Sequence, residues 1–260
     1  MPPTSHGAPA PALVLAGRTA VITGGTSGIG LAAAKAFANA GAQVVVSGRS
    51  RQALNEAVAE IGDAAVAIAG DVADPSHHDL VAQEVRQRFG GLDIYMANAG
   101  INTITPSAEV SEAEYDAQFA VNTRGVFFGV QKLAPLMRDG GSIILTGSLA
   151  SEKVLDGHAV YAGSKAALTA FARSWAIEFS PRRIRVNVLS PGPVATAILG
   201  KLGVPAEARP AFEKAMAQAI PLGRMGRAEE LAQAALFLAS DASSFVNGVN
   251  LRADGGMALL

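Results

Sequence analysis

The chain has no cysteine, and that one absence removes disulfides, thiolate nucleophiles and cysteine-ligated metals together. A reducing cytoplasm is then the simplest compartment. Charge is also scarce: 17% of the 260 residues are charged, the signs are interspersed and the formal net charge is -1, which gives no electrostatic footprint for nucleic acid or an anionic membrane. No apolar run approaches ~18 residues, so no bilayer-spanning helix is expected. Internal repeats, low-complexity core segments and an interdomain linker are missing as well. With half its residues hydrophobic, the chain suits one large α/β domain.

Residues 1–16 are rich in Pro and Ala and lack both a basic start and an apolar stretch of signal-peptide length. They read as a flexible tail ahead of a domain over residues 17–260. From Arg18 onward short apolar runs alternate with longer helical stretches. Strands are expected at 19–23, 43–47, 64–69, 92–97, 142–146, 184–189 and 246–251. Helices are expected at 31–40, 51–61, 77–89, 112–137, about 158–179 and 228–239, with a helical insertion before the last and a loop forced by Pro191-Gly192-Pro193. Gly125, Gly129 and Pro135 interrupt the regularity of 112–137. The alternation predicts βαβ units in a single-domain Rossmann-type doubly wound parallel sheet with helices on both faces.

The most telling stretch is Tyr161-Ala-Gly-Ser-Lys165. Residues four apart share a helix face, so this phenol and this ammonium should project side by side. Making an appreciable fraction phenolate near neutral pH requires a drop of roughly 2 to 3 pKa units, and a cation about 4 Å away supplies roughly that at an effective dielectric of about 20. The pair therefore suits proton donation and acceptance, although an exposed Tyr beside an exposed Lys carries the same spacing.

Other segments fall where such a sheet binds ligands. Thr23-Gly24-Gly25-Thr26-Ser27-Gly28-Ile29-Gly30 joins the first strand to the first helix, where glycines allow a tight turn and the helix N-terminus offers free amides to a pyrophosphate. Val46-Ser47-Gly48-Arg49-Ser50 ends the second strand without an acid to hold ribose hydroxyls, and Arg49 is suited to a 2′-phosphate, which favours NADP(H) over NAD(H). Asp71-Val72 and Asn98-Ala99-Gly100 follow the third and fourth strands. Asp71 can contact a cofactor or serve structure, with Asp74 the better helix cap. Ser148 follows the fifth strand and can polarise a carbonyl or simply form a turn. Asn122 is unfavourable inside a helix, so a polar contact or a bend should explain it.

Taken together, Thr23-Gly-x-x-x-Gly-x-Gly30, Asn98-Ala-Gly100, Asn122, Ser148, Tyr161-x-x-x-Lys165 and Pro191-Gly192-x-Val194-x-Thr196 resemble the short-chain dehydrogenase/reductase family over essentially all of residues 17–260. Residues 184–187 and Asp254-Gly255-Gly256 match too, and among its members the chain is similar to NADPH-dependent bacterial ketoreductases and secondary alcohol dehydrogenases. Ala97 departs from the second asparagine common before Asn98. The resemblance implies Tyr161 as general acid/base, Lys165 on the nicotinamide ribose, Ser148 on the substrate carbonyl and Asn122 fixing a relay water. It further implies Asp71 and Val72 beside the adenine, and Pro191, Gly192, Val194 and Thr196 at the nicotinamide.

The pocket wall implied by the family includes Ile101, Asn102, Val154, Leu155, His158, Ile198, Leu199 and Leu202. It is mostly apolar, which suits a hydrophobic ketone or secondary alcohol. His158 can line it or be locally bonded at its helix start. His6 belongs to the tail and His77-His78 to the surface, and no metal site is expected. The resemblance also implies a homotetramer, and the apolar C-terminal Met257-Ala-Leu-Leu260 suits a buried end or a frayed tail. The competing functions are an NAD-dependent enzyme of the same family, an idle nucleotide-binding redox sensor and an enoyl reductase, whose relatives space Tyr and Lys further apart.

Overall fold

The computed structural model describes residues 13–195 and 206–260. Seven strands form one parallel sheet: β1 (Thr19–Thr23), β2 (Gln43–Gly48), β3 (Ala65–Ala69), β4 (Leu92–Ala97), β5 (Met137–Thr146), β6 (Arg185–Pro191) and β7 (Asn250–Ala253). Their order is β3-β2-β1-β4-β5-β6-β7. The α-helices among the described residues are α1 (Gly28–Asn39), α2 (Arg51–Ile61), α3 (Pro75–Phe89), α4 (Glu112–Phe119), α5 (Gly125–Leu133), α6 (Ala159–Glu178), α7 (Arg209–Gln218) and α8 (Ala228–Ala239). The Rossmann-type doubly wound sheet expected from the alternation is the observed fold.

Both faces of the sheet are buried, which is why its strands read as nearly unbroken apolar runs. Alternate residues divide between two cores. Val21, Val45, Tyr95, Ile143 and Val186 pack with α3, α5 and α6 on one side. Ile22, Val44, Met96 and Ile144 pack with α1 and α8 on the other. The segments 19–23, 51–61, 92–97 and 228–239 adopt the strand and helix bounds their patterns predict.

Three expectations are corrected. The helix expected over 112–137 is instead α4, a π turn at Ala120–Arg124, α5 and a short 3-10 turn at Ala134–Leu136, with Met137 already in β5. Pro135 stops the helix as its missing donor requires. The last strand begins at Asn250 and not at residue 246, because Gly248 turns at φ 72 and the Asn187 side chain takes up Val246 O and Val249 N–H. Residues 13–16, assigned to the tail, belong to the fold: Leu15 is buried against α1 and its N–H donates to Ala40 O at 2.9 Å.

Candidate active site

The strand order reverses between β1 and β4, and α/β sheets bind ligands outside the carboxyl ends of the strands at such a point. β1, β2, β4 and β5 all deliver the residues singled out by sequence to that edge. The first turn of α1 contains no acid, and Ser27 gives it no side-chain cap, so its free amides stay positive and uncompensated there. Gly24 turns at φ 65, and a Cβ on it would lie 2.9 Å from Ala99 Cα.

Asn98 fastens this turn. Its Nδ2 donates to Thr23 O at 3.1 Å and Gly24 O at 3.2 Å, while Thr23 Oγ1 accepts from the N–H of Asn98 at 3.0 Å and of Ala99 at 3.1 Å. Thr146 Oγ1 donates to Asn98 Oδ1 at 3.4 Å. Sequence reasoning misses Thr146, whose signal is a hydroxyl at the last position of an apolar strand.

At the end of β2, Arg49 is exposed and makes no hydrogen bond or ion pair among the described residues. Ser50 is already engaged, its Oγ accepting from Ala53 N–H at 3.2 Å to cap α2. Gly48 adjoins Thr26, with Thr26 Cγ2 3.0 Å from where a Cβ would stand. A positive helix end and an exposed guanidinium at the end of β2 fit a dinucleotide. After β3, Asp71 Oδ1 accepts from Ala73 N–H at 2.9 Å, and Asp74 caps α3 through Ser76.

On the other side of the crevice, α6 carries Tyr161 and Lys165. Lys165 is 3% exposed, and its Nζ donates to Thr146 O at 2.8 Å, its one acceptor among the described residues. Burial lowers the pKa of this ammonium to about 8. The Tyr161 phenol is pushed above its ordinary value by burial, while a hydrogen bond with the Ser148 hydroxyl pulls it back. The expected lowering of the phenol by the ammonium is therefore corrected: in the chain alone Ser148 supplies the favourable contact, and Lys165 turns to β5.

Asn122 is fully buried in the π turn. Its Oδ1 accepts from Ile101 N–H at 2.9 Å, and its Nδ2 donates to Ile101 O at 2.8 Å and to Ser164 Oγ at 3.0 Å. Both the polar contact and the bend that its position demanded are present. A Cβ on Gly100 would come within 3.1 Å of Lys165 Nζ and 3.3 Å of Asn122 Oδ1, so the loop after β4 lies against both.

Among the other residues singled out, His158 precedes α6 with Nδ1 2.6 Å from Asp156 O and its ring edge-on to Tyr161, centroids 6.2 Å apart. Val154 is exposed and Leu155 half-buried. Pro191 ends β6, Gly192 N–H donates to Ala253 O at 3.1 Å, and Val194 is buried in a bridge to Gly226. Thr196, Ile198, Leu199 and Leu202 lie outside the described residues. A cleft of about 520 Å³ near Tyr115 and Asp116 touches Val160 but none of Ser148, Tyr161 and Lys165. His77 and His78 are not surface residues, as expected from sequence, but 5% and 1% exposed, because α3 packs against α5 and the loop after β3, with His78 beside Gly129 and His77 beside Gly70. No metal-binding cluster of His, Asp or Glu occurs among the described residues.

A seven-stranded parallel sheet with this crevice and this Ser, Tyr and Lys arrangement defines a class, and the comparisons agree: the chain belongs to the short-chain dehydrogenase/reductase family. The matching family model, described as Enoyl-(Acyl carrier protein) reductase, covers residues 24–258. The chain is 42% identical to Oxidoreductase asL5 of Sarocladium schorii, over 94% of this chain and 97% of the relative. It is 37% identical to the Hydroxynaphthalene reductase-like protein Arp2 of Metarhizium majus, over 93% and 95% of the two. The solved 3-ketoacyl-(acyl-carrier-protein) reductase from Brucella melitensis, complexed with NADH, superposes with a TM-score of 0.88 at 33% identity, covering 94% of this chain and 99% of that one. The chain is an oxidoreductase of this family.

Proposed function

We propose that the chain is an NADP(H)-dependent ketoreductase/alcohol dehydrogenase that interconverts an apolar ketone and its secondary alcohol, with Tyr161 as general acid/base. The observation that carries this reading is the Ser148 hydroxyl facing the Tyr161 phenol, beside a buried Lys165 whose Nζ has one acceptor among the described residues. The nicotinamide cofactor, when bound, supplies or receives the hydride. Tyr161 Oη delivers a proton to the carbonyl oxygen during reduction and removes one from the alcohol during oxidation. Ser148 Oγ orients and polarises that oxygen. Lys165 Nζ holds the ribose hydroxyls and replaces the proton on Tyr161. Asn122 Oδ1 keeps a second lone pair for a relay water.

Gly24, Thr26, Ser27, Gly28, Ile29 and Gly30 hold the pyrophosphate, Gly48, Arg49 and Ser50 the 2′-phosphate, and Asp71 and Val72 the adenine. Asn98, Ala99 and Gly100 wall the ribose, with Pro191, Gly192, Val194 and Thr196 at the nicotinamide. His158, Val154, Leu155, Ile198, Leu199 and Leu202 line the substrate pocket. Relatives named for hydroxynaphthalene and 3-ketoacyl reduction support a carbonyl substrate. A cytoplasmic homotetramer is the proposed form, supported by the exposed Phe127 and Ile177 on the outer faces of α5 and α6.

NADPH oxidation with a panel of ketones and enoyl substrates, repeated with Tyr161→Phe, tests the reaction. Turnover of ketones that the substitution abolishes is the expected result; tight cofactor binding without turnover on any panel member points to the sensor. NAD dependence is the second reading, favoured by the NADH bound to the Brucella melitensis relative. The Gly48→Asp, Arg49→Ala double variant should move kcat/KM from NADPH toward NADH, and an unchanged preference contradicts the assignment.

A further inference from the structure

Three consecutive side chains of the π turn hold three different parts of the molecule. Asn122 holds Ile101 after β4, and Thr123 Oγ1 donates to Ser164 O on α6 at 2.9 Å. Arg124 Nη1 donates to Ala73 O at 2.7 Å, in the loop after β3, while its guanidinium lies 5.4 Å from the centre of the Phe128 ring. That loop is gripped from a second side. His78 Nε2 lies 2.9 Å from Val72 O, and since a carbonyl only accepts, the proton sits on Nε2. Gly125 closes the grip: a Cβ on it would stand 2.5 Å from Val72 O.

The loop's own bonds set its shape only. Asp71 Oδ1 takes Ala73 N–H, and Asp74 caps α3. Its place over the sheet depends on partners from elsewhere in the chain, and two carbonyls of residues 72 and 73 are the handles.

We propose that Arg124 and His78 are positioning residues for the adenine half of the cofactor, holding residues 71–73 in place and tying them through the π turn to Asn122 and the helix of Tyr161. The inference rests on the dinucleotide site proposed above. Neither residue contacts the reacting atoms. Their effect is therefore on one half of the cofactor and not on the other.

The test is equilibrium binding to the full chain, read by calorimetry and by nicotinamide fluorescence, with no substrate needed. The probes are NADPH, adenosine 2′,5′-bisphosphate for the adenine half, and reduced nicotinamide mononucleotide, which has no adenine. A charged donor to a carbonyl supports about a tenfold change, so Arg124→Ala should weaken the first two by about tenfold and leave the third within about twofold. Arg124→Lys, which keeps a donor, should recover most of the loss. Gly125→Ala, which pushes the loop from the other side, should reproduce the pattern.

Equal weakening of all three probes would mean a general structural role and overturns the proposal, as does unchanged binding of adenosine 2′,5′-bisphosphate to both Arg124→Ala and Gly125→Ala. Should one variant fail to fold, the other carries the same comparison. Wild-type chain that binds neither NADPH nor the adenine half removes the dinucleotide site itself. Wild-type binding with indifferent variants removes only the positioning role.

Discussion

Lys165 and Arg185 are the two buried Lys and Arg side chains among the described residues, and they are treated differently. Arg185 on β6 is 8% exposed and held by three hydrogen bonds: Nη1 donates to Leu238 O at 2.9 Å and Ser243 Oγ at 2.6 Å, and Nη2 donates to Ser240 O at 3.2 Å. These acceptors close the carboxyl end of α8, where a positive charge complements the helix dipole. Lys165 is buried more deeply and has one acceptor, Thr146 O, among the described residues. Arg185 is tied to the fold by three acceptors of its own chain, whereas the role proposed for Lys165, with a single one, is to hold a cofactor. The two core phenols divide likewise: Tyr95 is sealed inside the sheet and its pKa pushed far up by burial alone, whereas Tyr161 has the Ser148 hydroxyl to offset that burial.

The largest expected effect separates the phenols. Tyr161→Phe should lower kcat by about 10³-fold, within the range for loss of a general acid, without a matching fall in Tm. Tyr95→Phe should leave kcat unchanged, and a comparable loss there would erase the distinction. Next comes Arg185→Met, which removes three charge-assisted hydrogen bonds at the carboxyl end of α8 and should cost about 2 to 4 kcal/mol in denaturant unfolding.

Lys165→Met should do the reverse. A fall from 10.5 to about 8 corresponds to a penalty of about 3 kcal/mol on the folded, charged state. That penalty is present in full below pH 8 and disappears as pH rises to the unfolded value near ~10.4, because only in that window does the unfolded chain bind the extra proton. The variant should be more stable by about 1 to 2 kcal/mol at pH 7, lose that gain by about pH 10, and be catalytically dead. Lower stability at pH 7 would place Lys165 with Arg185.

The smallest effect comes from His77, whose two ring nitrogens are buried without partners and whose pKa is lowered chiefly by burial. Its folded value lies below the unfolded ~6.5, so the unfolded state takes up the proton first and stability falls as pH drops below that point. His77→Leu should flatten this acid limb in urea titrations by about 1 kcal/mol or less between pH 7 and pH 5.5, while changing little at pH 8. An unchanged limb would show that His77 does not titrate on unfolding.

The parts of this account visible in the sequence are those governed by local spacing. Apolar runs gave the strands, glycine spacing marked the first turn, and the four-residue step from Tyr161 put it on a face with Lys165. What stayed hidden depends on contacts distant along the chain. Asn122 was legible as an anomaly, but the π turn around it forms because Ile101 and Ser164 receive its side chain. The burial of His77 and His78 follows from how α3 packs against α5 and the loop after β3, a packing that their polar neighbours Ser76 and Asp79 do not signal. Asn98 looked like a ligand because of its position, and its amide is used to fasten the glycine turn.

The direct test of the role proposed for Lys165 is the titration of its Nζ by nitrogen-detected NMR, in the free chain and with NADP+ added. The account predicts a value of about 8 in the free chain, rising on cofactor addition as ribose hydroxyls accept from the empty donors and favour the charged form. An ordinary value near ~10.4 in the free chain, or no movement when NADP+ binds, would contradict it.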